Sequence, residues 1–386
     1  MNLKNLIMSG TVRQLISGIA LIIALISAAS QLAVDEFAYY NYQMLVVYTI
    51  STFLGIIGYP IIYRYLSVNE TKNVYLPCLI ILINILISII LGFLLLTVGW
   101  LKSWLEVFVL VGFIIANCLT SISLGLEKYI LFNLGEVIPS LILFFLILYF
   151  NVVDSEQLFL YTLIGFLVKI ILYIFEYIND SKLYFNKNKI ISFNFISDGL
   201  AFGATGTFQT LLYRASFLIG MPLVSNFSVL LIAVYPFVEK ILVVPQAANA
   251  ILYRKLVRRE VSIIYLNKII FFVLVVCFIS AISLYCILLV LEQYYFDNNY
   301  NGISKMGIII SIVFILQAAR MLFHNYFQSI NKYKVVMIDC IFLGGLCLSY
   351  ILFSVDNIIN YLIINILFYM LSCFYLFKKF KGNLYE

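Results

Sequence analysis

Charge is scarce in this sequence, since only 11% of its 386 residues are charged, against about 25% in soluble proteins. Hydrophobic residues make up 64%, or about 247 positions. A soluble protein of this length could not cover so much apolar surface with polar groups. The composition therefore excludes a soluble enzyme, a secreted disulfide scaffold and a disordered chain. Because one membrane-spanning helix needs about 20 apolar residues, it predicts a membrane protein with roughly a dozen spans.

Several chemical motifs are also missing. No G-x-x-x-x-G-K-[ST] phosphate loop occurs, which excludes ATP hydrolysis by this chain. The seven cysteines form no C-x-x-C pair and lie in apolar runs, so we interpret them as packing residues rather than disulfide partners or metal ligands. No polar segment is long enough for an extramembranous domain. We therefore expect no enzymatic activity, no resident metal or cofactor, and no nucleic-acid partner.

Cutting the sequence at its charges gives twelve apolar segments, each long enough to span a bilayer. Their limits are 11–33, 37–63, 74–100, 107–126, 130–153, 157–178, 199–221, 226–252, 269–291, 306–330, 335–354 and 357–377. The predicted fold is an all-α polytopic membrane protein with about twelve helices in two pseudo-symmetric six-helix bundles around a central cavity. The predicted domains are an N-terminal bundle (1–178), a cytoplasmic linker loop (179–198) and a C-terminal bundle (199–386).

The basic residues sort to one side of this predicted topology. With the N-terminus inside, 18 of the 24 lysines and arginines fall in cytoplasmic segments and two, Lys102 and Lys305, fall outside. This asymmetry is what the positive-inside rule predicts. It places both termini in the cytoplasm.

An internal repeat supports the division into halves. IIYRYL at 61–66 recurs as ILYRKL at 251–256, and LEKY at 126–129 is answered by INKY at 330–333. Each pair occupies matching positions on the cytoplasmic side. The pattern predicts parallel halves with the substrate held between them, one of the two repeat arrangements of transporters.

Charges inside the predicted spans are few and costly. A charge at the centre of a spanning helix costs about 2.5–3.5 kcal/mol, so seven of them would cost about 17–25 kcal/mol if they faced lipid. Most must therefore point into a hydrated or paired interior. The seven are Glu136, Lys169, Arg214, Glu239, Lys240, Arg320 and Asp339.

Helical spacing gathers polar residues into stripes. At 100° per residue, the polar groups of the tenth span fall within an arc of about 80°. They are Gln317, Arg320, His324, Gln328 and Asn331. Other stripes, which include small residues, are Arg13, Ser17, Ala20, Ala24, Ser27 and Gln31 in the first span, Gly203, Thr207, Thr210 and Arg214 in the seventh, and Tyr235, Glu239, Gln246 and Asn249 in the eighth. Two interpretations stay open: a helix–helix seam, or the wall of a ligand cavity.

The cationic residues of these stripes suit an anionic head group such as a phosphate or pyrophosphate. The candidate substrate-binding residues are Arg214, Arg320, His324, Lys240, Arg13, Gln317 and Gln328. Glu239 and Asp339 are the candidates for coupling to an ion. A cation-exporting antiporter is the main alternative, favoured by Glu136, Glu239 and Asp339. A membrane polysaccharide polymerase is disfavoured, because it would need a sizeable outside loop.

Three stretches carry a family resemblance. They are YPFVEKILVVPQAANAILYR at 235–254, YYFDNNYNGISKMGIIISIVFILQ at 294–317, and DEFAYYNYQMLVVYTISTFLGIIGYPIIYR at 35–64. They resemble O-antigen or polysaccharide flippases (Wzx), within the multidrug/oligosaccharidyl-lipid/polysaccharide exporter superfamily that also holds multidrug exporters of the MATE type. One departure is Tyr213, which stands where relatives often carry an acid before the arginine of the seventh helix.

The resemblance implies a flippase that moves an undecaprenyl-pyrophosphate-linked oligosaccharide across the bacterial inner membrane by alternating access. The expected partners are this lipid-linked substrate, membrane lipids, a polysaccharide polymerase and a chain-length regulator. The expected driving force is a Na⁺ or H⁺ gradient. A cation-coupled MATE-type multidrug antiporter is the alternative function.

Overall fold

The computed structural model describes most of the chain, with gaps. The described residues are 3–55, 58, 61–62, 65–66, 73–126, 128–180, 183–186, 193–224, 228–242, 245, 263–296, 298–330, 332–353 and 357–382. Twelve α-helices of twelve residues or more lie within them. The extended pairing seen there is one parallel bridge between Asn73 and Tyr184. The predicted all-α fold is confirmed.

The helices are α1 (Leu3–Ala29), α2 (Val34–Leu54), α3 (Tyr75–Val98), α4 (Trp104–Gly125), α5 (Tyr129–Tyr149), α6 (Ser155–Ile178), α7 (Phe193–Gly220), α8 (Ser228–Glu239), α9 (Ile263–Tyr294), α10 (Ile303–Ser329), α11 (Tyr333–Leu352) and α12 (Ile358–Gly382). Short 3₁₀ turns follow α7 at Met221–Leu223, follow α8 at Lys240–Leu242 and precede α10 at Asn298–Tyr300.

Eight of these helices are long and apolar enough to cross a membrane: α3, α4, α5, α6, α9, α10, α11 and α12. Their outer faces expose large apolar side chains, such as Leu82 and Ile90 on α3 and Phe271 and Phe278 on α9. In water such a surface would be strongly unfavourable, whereas acyl chains solvate it. The chain is therefore a polytopic membrane protein, as predicted. The cytoplasmic placement of the termini stays a prediction.

The chain divides into two compact units. Unit 1 comprises Met1–Leu32 and Gln43–Leu211, and unit 2 comprises Ala33–Tyr42 and Leu212–Glu386. The first residues of α2 therefore group with unit 2, and the boundary falls inside α7, which is one continuous helix. The predicted division at loop 179–198 stays a prediction.

In unit 1, α1 packs on α5, α5 and α4 pack on α6, and α3 packs on α4. The small-residue stripe of α1 lies in this packing: Ala20 and Ala24 are buried, and the hydroxyls of Ser17 and Ser140 are 2.9 Å apart. Small side chains let helices approach closely within a membrane. The described part of this stripe is therefore a helix–helix seam.

In unit 2, α10 is the central helix and contacts α8, α9, α11 and α12. In the 18-residue apolar stretch of α10, 67% of the residues are buried inside the protein, against 22% in the corresponding stretches of α9 and α12. Because α10 is surrounded by other helices, its polar side chains must find partners on them rather than in lipid or water. This position explains where the charged network of unit 2 forms.

Helix α8 is much shorter than the predicted segment 226–252. Pro236 lies inside it and cannot donate a backbone hydrogen bond to the preceding turn. Three residues later, after Glu239, the α-helix gives way to the 3₁₀ turn Lys240–Leu242. Such a change of helix type within a segment often marks a functional hinge. Glu239 therefore lies at an interruption of helical structure.

In the connections between α3 and α4 and between α9 and α10, a carboxylate accepts hydrogen bonds from backbone N–H groups. Ser103 caps the start of α4 by accepting from the N–H of Glu106 at 3.3 Å, and the Glu106 carboxylate accepts from the N–H of Lys102, just before the cap, at 2.9 Å. Glu292 near the end of α9 accepts from the N–H groups of Gly302 and Ser304 at 2.7 and 3.0 Å. These two carboxylates have structural rather than transport roles.

Replacing Gly220 by alanine is expected to destabilise the protein. The added Cβ would lie 2.6 Å from a ring carbon of Tyr361 and 2.9 Å from the ring of Tyr350, and both rings are buried. Overpacking of this kind costs about 1–3 kcal/mol. Gly344→Ala is the matched control, because its Cβ would meet no atom within 4 Å. The melting temperature of purified protein should fall for Gly220→Ala and not for Gly344→Ala; equal melting temperatures would contradict the packing.

Candidate functional site

A charged network lies within unit 2, where α10, α11 and α12 meet. Arg320 on α10 contacts Asp339 on α11, with 2.5 Å between Nη2 and Oδ2. The Nε of Arg320 donates to the hydroxyl of Ser372 on α12 at 3.0 Å, and its Nη1 donates to Gln317 Oε1 at 3.3 Å. The Ser372 hydroxyl in turn donates to Asp339 Oδ1. Arg320 and Asp339 are both fully buried. We call this set, together with His324, the Arg320 network.

His324 completes the Arg320 network from one turn further along α10. Its Nδ1 lies 3.3 Å from Asp339 Oδ2, the same oxygen that contacts Arg320. Its side chain is 0% exposed, and its Nε2 makes no hydrogen bond to a described residue. One carboxylate oxygen is thus shared by a guanidinium and an imidazole.

Local geometry explains why these residues meet. Gln317, Arg320 and His324 are spaced by three and four positions, so they share one face of α10. The connection to α11 is short, so α10 and α11 are antiparallel neighbours. This arrangement brings Asp339 against Arg320 although 19 positions separate them. The sequence predicted substrate binding for Arg320 and ion coupling for Asp339; the structure joins the two as an ion pair.

The polar residues of α12 were not predicted from the sequence. This helix buries a polar stripe consisting of Tyr361, Asn365, Tyr369 and Ser372. The intervals of four, four and three are a helical repeat, and Asn365 and Ser372 are polar residues in an otherwise apolar segment. That spacing could have identified the stripe. It carries no charge, which is why a search for intramembrane charges passed over it.

A second cluster lies in unit 2 around Glu239, and four rings form its aromatic part. Tyr213 and Phe217 of α7, Tyr235 of α8 and Phe314 of α10 pack together, with ring centroids of the contacting pairs 5.1 to 6.1 Å apart. The hydroxyls of Tyr213 and Tyr235 are buried and interact with each other. The cluster therefore brings two phenol oxygens together within unit 2.

Charged groups surround these phenols. Glu239 stands one helical turn after Tyr235 and interacts electrostatically with the phenols of Tyr213 and Tyr235. Lys240 interacts electrostatically with Glu239 and Arg214. Glu239, Lys240 and Arg214 are each partly exposed, unlike the fully buried Arg320 network. We call Arg214, Glu239, Lys240 and the two phenols the Glu239 cluster.

The other predicted residues have varied positions. The side chains of Arg13, Glu136 and Gln328 lie outside the described residues, as do Asn331, Gln246 and Asn249. In unit 1, Lys169 is 4% exposed, and its Nζ lies 5.9 Å from the centroid of the Tyr173 ring. Such a cation–π contact gives this buried charge a partner within unit 1, as expected for a charge inside a predicted span.

The two assemblies differ in what they can do chemically. In the Arg320 network the charges of Arg320 and Asp339 cancel, and burial excludes bulk water. In the Glu239 cluster the carboxylate is accessible and stands beside two cations and two phenol oxygens. An accessible carboxylate can take up and release a proton or a monovalent cation. The Glu239 cluster is therefore the better candidate for ion exchange.

Comparison with solved structures identifies the fold. The MATE multidrug transporter DinF-BH, in complex with rhodamine 6G, matches with a TM-score of 0.65 and 18% identity, over 97% of this chain and 95% of that one. A MATE family transporter of the MOP superfamily matches in its inward-facing conformation (TM-score 0.64, 15% identity, 96% and 98% covered). Another matches in an outward-facing conformation (TM-score 0.62, 11% identity, 99% and 96% covered). The chain has the fold of MATE transporters.

Neither a family model nor a curated protein matches this sequence. The structural likeness spans the whole chain at low identity, which is typical of a fold retained after extensive sequence divergence. The structures to which it is similar are transporters and not enzymes.

The comparisons contradict the resemblance to Wzx flippases. The matching structures are MATE multidrug transporters, so the identification as an O-antigen flippase was wrong. The expected lipid-linked oligosaccharide, the polymerase and chain-length regulator, and the role in O-antigen and lipopolysaccharide biosynthesis are withdrawn with it. The reason is that the three stretches consist of common membrane residues, which recur across a shared twelve-helix fold. They are compatible with the fold but could not identify a family.

Proposed function

We propose that this chain is a cation-coupled multidrug antiporter of the MATE type. The observation that carries the proposal is the whole-chain agreement with MATE transporters in inward- and outward-facing conformations. A fold found in both conformations is suited to alternating access. Because fold alone does not fix function, the proposal also rests on the chemistry of unit 2.

The Glu239 cluster supplies that chemistry. Glu239 is a half-buried carboxylate at the point where α8 changes to a 3₁₀ turn, and it interacts electrostatically with the phenols of Tyr213 and Tyr235. Carboxylate and hydroxyl oxygens suit hard cations such as Na⁺, and the carboxylate can alternatively take a proton. We assign Glu239 as the residue that binds the coupling ion. Lys240 interacts electrostatically with both Glu239 and Arg214, so basic groups lie beside this carboxylate.

The same proposal places the protein in a bacterial cytoplasmic membrane with both termini in the cytoplasm. The distribution of 18 basic residues against two supports this orientation. Substrates would leave the cell while Na⁺ or H⁺ enters.

Transport of rhodamine 6G (hereafter rhodamine) by purified protein tests the proposal. Protein is reconstituted into liposomes preloaded with rhodamine, and a Na⁺ or H⁺ gradient is imposed. We expect gradient-dependent release of this cationic dye and no release of the anionic dye carboxyfluorescein. Release of carboxyfluorescein alone, or rhodamine release that is independent of both gradients, would contradict a cation-coupled multidrug antiporter. Empty liposomes and protein without a gradient are the controls.

A further inference from the structure

The Arg320 network contains an ionisable group that ion exchange at Glu239 does not use. His324 is the only histidine in the sequence. It is fully buried among helices of unit 2, and its Nε2 has no hydrogen-bonding partner among the described residues. A buried polar atom without a partner is energetically unfavourable. That cost is tolerated where a site serves a function.

The net charge of the Arg320 network determines how protonation of His324 would affect its stability. Arg320 and Asp339 cancel, so with neutral His324 the buried network carries no net charge. A proton on His324 would leave one uncompensated positive charge out of contact with water, which is strongly unfavourable. Protonated His324 would also compete with Arg320 for Asp339 Oδ2, which both already contact. Protonation therefore disfavours the arrangement of α10, α11 and α12 seen here.

We propose that His324 is a proton-binding residue that couples the conformation of unit 2 to a proton gradient. This inference rests on the proposed antiport function and assigns H⁺ as a coupling ion. With Nδ1–H donating to Asp339, the lone pair of Nε2 accepts a proton from water and the imidazole becomes an imidazolium. The reverse step returns the proton to water on the other side. Because Nε2 is sealed in this conformation, the exchange requires the network to open, which prevents a proton leak.

Several other titratable or charged groups lie near His324, and each ionises further from neutral pH than an imidazole does. On α11 the neighbours are Asp339 and Cys340, and on α12 they are Tyr369, Cys373 and Tyr375, which interact electrostatically with Arg320 or Asp339. On α9, Cys277 donates to the carbonyl of Ile241 and Lys268 is exposed. On the α8 side, Glu239 and Lys240 belong to the Glu239 cluster. Thiols, phenols and the paired carboxylate ionise far from neutral pH in ordinary conditions, whereas imidazole does so near it.

A single histidine makes the proton directly observable. Protein carrying a tag without histidine is labelled with ¹⁵N-histidine, placed in lipid nanodiscs and titrated from pH 5 to pH 8. We expect one signal that converts between neutral and protonated imidazole, and that is absent from His324→Gln. A signal that stays neutral throughout the titration would overturn the proposal. This readout needs no transport, so it is independent of whether rhodamine is a substrate.

Two variants that each remove a charge should move the pH of this conversion in opposite directions. Asp339→Asn removes the anion that stabilises the imidazolium, so the conversion should move to lower pH. Arg320→Gln removes the competing cation, so it should move to higher pH. Ser372→Ala alters no charge and is the control. Movement of both variants in the same direction would overturn the proposal, and the wild-type titration decides alone if a variant does not fold.

Transport completes the test. His324→Gln should reduce rhodamine efflux driven by a pH gradient by at least about tenfold, with rhodamine affinity unchanged within about threefold. Failure of the wild-type protein to export rhodamine would count against the proposed function. The role of His324 would then be decided by the titration alone. Efflux driven only by Na⁺ would overturn the role of His324 while preserving antiport.

Discussion

Replacing Glu239 by glutamine is expected to remove ion-driven rhodamine efflux almost completely. Glutamine keeps the size and hydrogen-bonding capacity of the side chain but can neither release a proton nor balance a cation. Coupling free energies between two ligands are about 1–3 kcal/mol, corresponding to about 5- to 150-fold. Since this variant removes the charge that is coupled, we expect a loss of about 100-fold at saturating rhodamine. The initial rate of efflux from proteoliposomes measures it.

The matched control for this variant is Glu176→Gln in unit 1. The side chain of Glu176 is 51% exposed and forms a 3.4 Å ion pair with Lys128, so its charge is solvated by water. Such pairs contribute little, and efflux should be unchanged. Rhodamine binding by Glu239→Gln should persist, because the variant removes coupling rather than the fold. Wild-type efflux rates in Glu239→Gln would refute the assignment of the coupling ion to this residue.

Breaking the pair between Arg320 and Asp339 is expected to have the largest effect on stability. Both side chains are 0% exposed, so either single replacement leaves the other charge buried without compensation. Removing one partner of a buried pair costs about 3–5 kcal/mol. We expect Arg320→Met and Asp339→Leu each to lower the melting temperature of protein in nanodiscs strongly. Together they should recover most of the loss, because the double variant leaves no charge behind.

A partly exposed pair provides the comparison. Lys128 and Asp180 are 2.7 Å apart with side chains 19% and 21% exposed. Lys128→Met should cost only about 0–1 kcal/mol, since water screens the pair. The double-mutant cycle decides the buried pair: a double variant as unstable as the sum of the two single variants would contradict an ion pair between Arg320 and Asp339.

Composition and charge spacing predicted the class of fold because the bilayer constrains it so strongly. Every spanning segment must be a helix of about 20 apolar residues, and the twelve apolar segments correspond in order to the twelve helices. Segment ends were less predictable. Within the eighth segment, predicted as 226–252, α8 changes to a 3₁₀ turn after Glu239, three residues beyond Pro236, and the predicted end at 252 lies outside the described residues.

The partners of the intramembrane charges could not be predicted from one helix at a time. Helical spacing correctly grouped Gln317, Arg320 and His324 on one face of α10. It gave no information about which helix that face meets, so Asp339 and Arg320 received separate roles. Ser372 was missed because a single hydroxyl on an apolar helix is not distinctive until its neighbours are known. Tertiary packing of unit 2 supplies that information.

The family assignment failed for a different reason. The stretch 235–254 holds residues that a shared superfamily fold favours, such as a proline within the span and aromatics near its ends. Prolines and aromatic residues are common in membrane-spanning helices of many kinds, so they could not distinguish a lipid-linked oligosaccharide from a drug. The proposed coupling residue Glu239 lies in the same stretch.

Antiport has one direct signature, which is that movement of either ligand drives the other. Proteoliposomes containing the protein and a pH-sensitive or Na⁺-sensitive dye are loaded with rhodamine and diluted into rhodamine-free medium, with no ion gradient imposed. We predict that rhodamine leaving the liposomes drives H⁺ or Na⁺ inward, and that Glu239→Gln abolishes this ion movement. Outflow of rhodamine with no accompanying ion entry would contradict coupled exchange and, with it, the function proposed for this chain.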